Sequence, residues 1–182
     1  MEKVQYEEVR KKIKQLNNET SSYLLEIKRL LQTRKQKYEL KLISYFSFSL
    51  NFAHEKDQES LIIGTYHIHN LGSKLLSNPY ICIKLGSDSP FSFSGKYINK
   101  ASQSIKTNNS WERINDQQNK FEYWLRPTDK KAIEPGEVIS FSNFQLSWSY
   151  RESYSGSVLG FTYTDEMKDG LPAVNQIYIN GS

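Results

Sequence analysis

Phe46-Ser47-Phe48-Ser49-Leu50-Asn51-Phe52 alternates apolar and polar residues without a break. Successive side chains of an extended chain point to opposite faces, so the run predicts a half-buried strand with one apolar and one uncharged polar face. The same period returns in Phe144-Gln145-Leu146-Ser147-Trp148-Ser149-Tyr150, and Ile81, Ile83 and Leu85 share one face of 80–85. Further strands are expected at 61–70, 121–125, 138–150, 158–163 and 176–179. Asn70-Leu71-Gly72-Ser73 and Glu134-Pro135-Gly136-Glu137 supply turn chemistry between them. The Ser-, Asn- and Lys-rich stretch 86–110 reads as a long loop or weak edge strands, and Thr164 to Gly170 as a solvated connection. Seven or eight short strands separated by turns predict an antiparallel, immunoglobulin-like β-sandwich, with Trp124, Phe144 and Trp148 in its core.

Upstream of Tyr38 the period is helical. With Tyr6 as heptad position a, the a positions hold Tyr6, Ile13, Thr20 and Ile27, and the d positions Val9, Leu16, Tyr23 and Leu30. An apolar repeat of 3.5 residues is the pattern of a left-handed coiled coil. Leu24 and Leu31 widen the stripe, and Arg34 and Lys37 end it. Tyr6, Val9, Ile13, Leu16, Tyr23, Ile27 and Leu30 are therefore the expected oligomerisation residues, with dimer and trimer both open. The alternative is that the stripe packs on the chain's own sheet. Asn17-Asn18-Glu19-Thr20-Ser21-Ser22 is low in helix propensity and is a candidate break. The expected organisation is a helical stem at 1–38 and a sandwich at 39–182, a mainly β fold preceded by a long, coiled-coil-like helix.

The chain has 182 residues, a mean hydropathy of −0.65 and 13% aromatic residues, a composition that argues against global disorder. Net charge is +4. Residues 1–41 carry eleven Lys and Arg against six Asp and Glu, so the basic excess sits entirely on the helix. The acids Glu2, Glu7, Glu8, Glu19 and Glu26 are interspersed, which argues for a solvated face and against binding of nucleic acid or anionic membrane. Met1 to Asn18 lacks the apolar core of a secretory signal, and no apolar run approaches the roughly 18 residues of a membrane span. A cytoplasmic or virion-associated location is expected. The single cysteine, Cys82, excludes an internal disulfide framework.

Motifs for chemistry are sparse. There is no phosphate-binding loop, dinucleotide fingerprint or nucleophile elbow. His67 and His69 share one face of a strand, with His54 or Cys82 as further metal donors; a site needs three or four ligands, so surface or inter-strand histidines are the simpler reading. Cys82 reads as a packed thiol and Asp165-Glu166 as solvated carboxylates. No catalytic residue, metal or cofactor is expected. Aromatic residues lying among Ser, Asn and Gln suit protein or glycan contacts. Trp111, beside Asn108-Asn109-Ser110, and Tyr154, in Ser153-Tyr154-Ser155-Gly156, are the expected exposed partner-binding rings.

The run Gly64-Thr65-Tyr66-His67-Ile68-His69-Asn70-Leu71-Gly72, then Leu75, Asn78-Pro79 and Ile81, resembles bacterial immunoglobulin-like modules of the CARDB type. Ile133-Glu134-Pro135-Gly136-Glu137-Val138-Ile139-Ser140-Phe141 resembles their strand entry. The resemblance covers about residues 42–150 and implies a non-catalytic adhesion or spacer module with no active site to carry over. It leaves the helical stem unexplained. Stem and sandwich together lead to an expected structural or binding protein: the stem oligomerises and the head binds a protein or glycan partner, as in fibre- or virion-type accessory components. The alternative is an intracellular adaptor whose basic helix binds nucleic acid, membrane or a partner helix.

Overall fold

A computed structural model describes residues 2–37, 40–53, 55, 58–99, 110–116, 118–149 and 153–181. Helix side chains are described for residues 7–31. The chain divides into two compact units, Met1–Glu39 and Leu40–Ser182.

The first unit holds one helix, α1 (Glu2–Lys37). It runs unbroken through the stretch of low propensity. There the hydroxyls of Thr20 and Ser21 donate to the carbonyls of Leu16 and Asn17 at 2.8 and 2.9 Å. Bonded to the preceding turn, these hydroxyls do not compete for the helix's own N–H groups. Arg29 and Glu26 form an ion pair one turn apart at 2.7 Å.

The second unit is a β-sandwich. Its strands are β1 (Leu42–Asn51), β2 (Glu59–Asn70), β3 (Leu76–Ser77), β4 (Tyr80–Leu85), β5 (Ser92–Ser94), β6 (Tyr97–Asn99), β7 (Trp111–Arg113), β8 (Glu122–Pro127), β9 (Ala132–Ile133), β10 (Val138–Ser149), β11 (Tyr154–Thr164), β12 (Met167–Pro172) and β13 (Ile177–Gly181). One sheet has the order β1-β2-β10-β5. The other runs β12-β11-β4-β8-β7-β6, with β13 also on β11, and β3 pairs β9 in a small separate ladder. All pairings are antiparallel except β6 with β7. The segment 164–170 is a hairpin into β12 rather than a loose connection: Asp165-Glu166 forms its tip and Thr164 pairs with Met167. Its polar sequence hid the strand.

Ile62, Tyr66, Ile68, Phe141, Phe144 and Leu146 of the first sheet face Ile81, Ile83, Leu125, Val158 and Ile177 of the second, all fully or almost fully buried. Phe144 lies three positions after Phe141, so a regular strand would turn them to opposite faces. The register shifts between them, with Asn143 at φ 59, and both rings enter the core. Gly64, opposite Phe144, leaves room for the ring: a Cβ there would lie 2.3 Å from Phe144 Cζ.

Tyr66 binds the two sheets together. Its hydroxyl donates to Ser44 Oγ on β1 at 2.9 Å and meets Thr162 Oγ1 on β11 at 2.9 Å, and all three residues are buried. Burial pushes the phenol above its ordinary range, so it stays protonated and supplies the donor. Asn70, also buried, donates to the carbonyls of Lys74 and Ile133 and accepts from Gly72 N, fixing the turn after β2. Arg113 is buried over the Tyr123 ring and donates to the carbonyls of Asp116, Asn119 and Glu122, which shapes the β7–β8 loop.

Tyr66→Phe leaves Ser44 and Thr162 buried without their shared partner. Urea unfolding is expected to show a loss of about 1–3 kcal/mol, the cost of an orphaned buried hydrogen-bonding group.

Candidate functional site

The outward face of the larger sheet carries a cluster of rings. Tyr163 on β11 and Tyr80 on β4 are register partners, and their rings stack at 4.9 Å with planes 4° apart. Trp124 on β8 leans over from the other side, 5.2 Å from Tyr163 and 6.1 Å from Tyr80. Phe161, paired with Cys82, extends the patch along β11. All four rings are half-buried. Gly170 at φ 79 makes space for Tyr163, whose Cε1 would lie 2.4 Å from a Cβ there.

Charged residues frame the rings. Trp124 Nε1 donates to Glu122 Oε2 at 3.2 Å, and Glu122 Oε1 pairs with Lys84 Nζ at 3.1 Å. Arg126 pairs with Glu112 at 3.0 Å. The bond from Trp124 and the bond and charge of Lys84 hold the Glu122 carboxyl below its ordinary range. Beneath the rings Cys82 points outward yet is buried, and burial, with Glu122 adding, pushes its thiol up to about 12. A protonated, covered thiol is no nucleophile. The cluster offers aromatic area inside a rim of ion pairs, which is the make-up of a contact surface.

Trp124 was expected in the core. It lies outside because Tyr123 and Leu125 take the inward positions of β8. Trp111 was expected at the surface and is 4% exposed. Its indole donates to Ser140 O at 3.2 Å and its ring meets the edge of Phe141 at 5.6 Å, so it joins the two sheets and is unavailable to a partner. A three-residue strand among polar neighbours shows no alternation that would reveal this. Tyr154 begins β11, half-buried against Trp148 at 6.0 Å and seated over Gly181. With Asp88, Pro90, Ser155 and Asn180 it lines an open cleft of about 410 Å³.

His67 lies on the outward face of the smaller sheet. It stacks on Tyr45 at 4.8 Å, and its ring nitrogens bond Ser47 Oγ at 2.8 Å and Ser140 Oγ at 2.9 Å. Burial lowers its pKa, so the neutral ring is held by two hydroxyls. His54 lies outside the described residues. Among the described residues no three His, Cys, Asp or Glu side chains come together as a metal site, and no helix is long and apolar enough to cross a membrane. On α1, Val9, Ile13, Leu16, Tyr23, Ile27 and Leu30 are each more than half exposed, while the Tyr6 side chain lies outside the described residues.

No protein-family model and no curated protein matches the chain, so the CARDB resemblance finds no support there. Among solved structures, the chain is similar to the cohesin module of a Clostridium perfringens family 33 glycoside hydrolase. The identity is 8% and the TM-score 0.37, over 78% of this chain and 97% of that one. The X-ray structure of the Northeast Structural Genomics Consortium target SoR45 matches at 8% identity and TM-score 0.32, over 79% and 87%. Scores of this size identify no relative, and the sandwich rests on its own strand order and core.

Cys82 is expected to resist iodoacetamide in the folded chain at mildly alkaline pH and to react once unfolded. Trp124→Ala, which uncovers the thiol, should speed alkylation of the folded protein. Because folding raises this pKa, the thiol's contribution to stability is complete below the ordinary thiol range. It is lost as pH climbs from there toward about 12, which melts recorded across alkaline pH should show.

Proposed function

We propose that the chain is a non-catalytic binding protein. Its sandwich contacts a protein partner through the outer face centred on Tyr80, Trp124 and Tyr163, and its helix gathers copies through Val9, Ile13, Leu16, Tyr23, Ile27 and Leu30. The ring cluster carries the reading. Aromatic area in the middle and ion pairs around it is how protein interfaces are composed. Leu159 and Tyr178, exposed on the same face, widen the apolar area in favour of a protein over a sugar. The apolar row on α1 supports self-association, because a helix with one exposed apolar stripe gains by covering it. Several weak heads on one stem bind a repeated target with avidity, a layout suited to a fibre- or virion-type accessory component.

At micromolar concentration light scattering is expected to give a dimer or trimer for the full chain and a monomer for Ile13→Glu/Ile27→Glu. A monomeric full chain at micromolar concentration removes the stem's role. In parallel, immobilised chain and its Tyr80→Ala/Trp124→Ala variant are exposed to a displayed proteome and to a glycan array. The expected result is a protein ligand lost by a variant that still folds. Glycan binding alone, or a protein ligand retained by the variant, removes the proposed partner class.

A further inference from the structure

Strand β1 is an edge strand: among the described residues it pairs only with β2. Half of its free edge is covered from within the chain. Val174 N donates to Ser44 O at 2.9 Å. The Asn175 side-chain amide bonds Phe46 twice, accepting from its N–H at 2.8 Å and donating to its carbonyl at 2.9 Å. These bonds show which residues direct their backbone outward. Backbone groups alternate along a strand, so Phe48 and Leu50 present theirs on the same free side as Ser44 and Phe46. Among the described residues the cover ends at Phe46.

Beyond that point the side chains are also open. Phe48, Leu50 and Phe52 are 42%, 38% and 41% exposed, although they continue the inward face on which Phe46 is 3% exposed. Edge strands ordinarily carry charge, proline or a bulge that blocks pairing with another chain. From Leu42 to Phe52 there is no charged residue and no proline, and the β1–β2 register runs without a shift. The opposite face offers Ser47, Ser49 and Asn51, also uncharged.

We propose that the β1 edges of two copies of this chain pair antiparallel about a twofold axis at Leu50, joining two four-stranded sheets into one. The edge itself specifies an extended strand as occupant, and its own sequence meets that requirement. The Asn175 amide holds Phe46, so pairing runs from Phe48 to Phe52. Centred on Leu50, it sets Phe48 against Phe52 and Ser49 against Asn51. Apolar meets apolar on one face and amide or hydroxyl on the other, with no like charges opposed. This interface is separate from the helical stripe.

The full chain carrying Ile13→Glu/Ile27→Glu isolates the edge from the stem. Above micromolar concentration, sedimentation should show a concentration-dependent dimer, and adding Leu50→Lys should return it to monomer with its melting curve retained. In the same background Leu50→Cys should oxidise to a disulfide-linked dimer much faster than Val138→Cys, a more exposed position on another strand. A stem-disrupted chain that stays monomeric up to its solubility limit overturns the proposal. So does a dimer that Leu50→Lys leaves intact, or equal cross-linking at the two cysteines. Failure of the stem alone would show instead as a monomer for Leu50→Lys with the helix left intact.

Discussion

The phenol of Tyr66 reaches across the middle of the sandwich, and the rest of the structure is arranged around it. A hydroxyl taken out of water must find partners inside, and here one comes from each sheet: Ser44 from β1 and Thr162 from β11. The bond is directional where the surrounding apolar packing is not, so it fixes how far β11 can slide against β1 and β2. Gly160 completes the arrangement. A Cβ there would lie 2.3 Å from the Tyr66 ring and 2.8 Å from Phe46, so only glycine lets the ring lie flat beneath β11.

Fixing the inside of a strand fixes its outside. Thr162 turns inward to Tyr66, so Phe161 and Tyr163 turn outward, where Tyr80 and Trp124 gather with them over Cys82. On the smaller sheet, burial of Tyr66 and Ile68 sends His67 to the surface between Tyr45, Ser47 and Ser140. One outer face thus mixes hydroxyls and imidazole with the exposed Tyr45, Ile63 and Val138, and the other gathers aromatic rings inside an ion-paired rim. The exposed end of β1 is a third feature of the same kind, an inward face that extends past the point where the core covers it.

Alternation made the long strands legible. Ile81, Ile83 and Leu85 announced β4, and Phe144, Leu146 and Trp148 the second half of β10, because the inward positions there are all apolar and buried. The helix was legible too, although the low propensity of 17–22 left its continuity through Thr20 and Ser21 open. Strands of two or three residues carry no period, so β7 was invisible and buried Trp111 read as a surface ring. Trp124 misled for the opposite reason: a tryptophan in a strand reads as core, and only the phase set by Tyr123 and Leu125 turns it out. The tie at Tyr66 was illegible, since its partners lie 22 and 96 residues away and no local pattern links them.

The most direct test is a double-mutant cycle between the sheets, with Tyr66→Phe, Thr162→Val and the pair compared by urea unfolding. If the phenol and the threonine hydroxyl hold the sheets in register through one shared bond, the two losses overlap. The pair then costs less than the sum of the singles, by about 0.5–3 kcal/mol, the size of coupling between residues in contact. Strictly additive losses would contradict the account, because the sheets would then be held by packing alone and Tyr66 would be one buried ring among several.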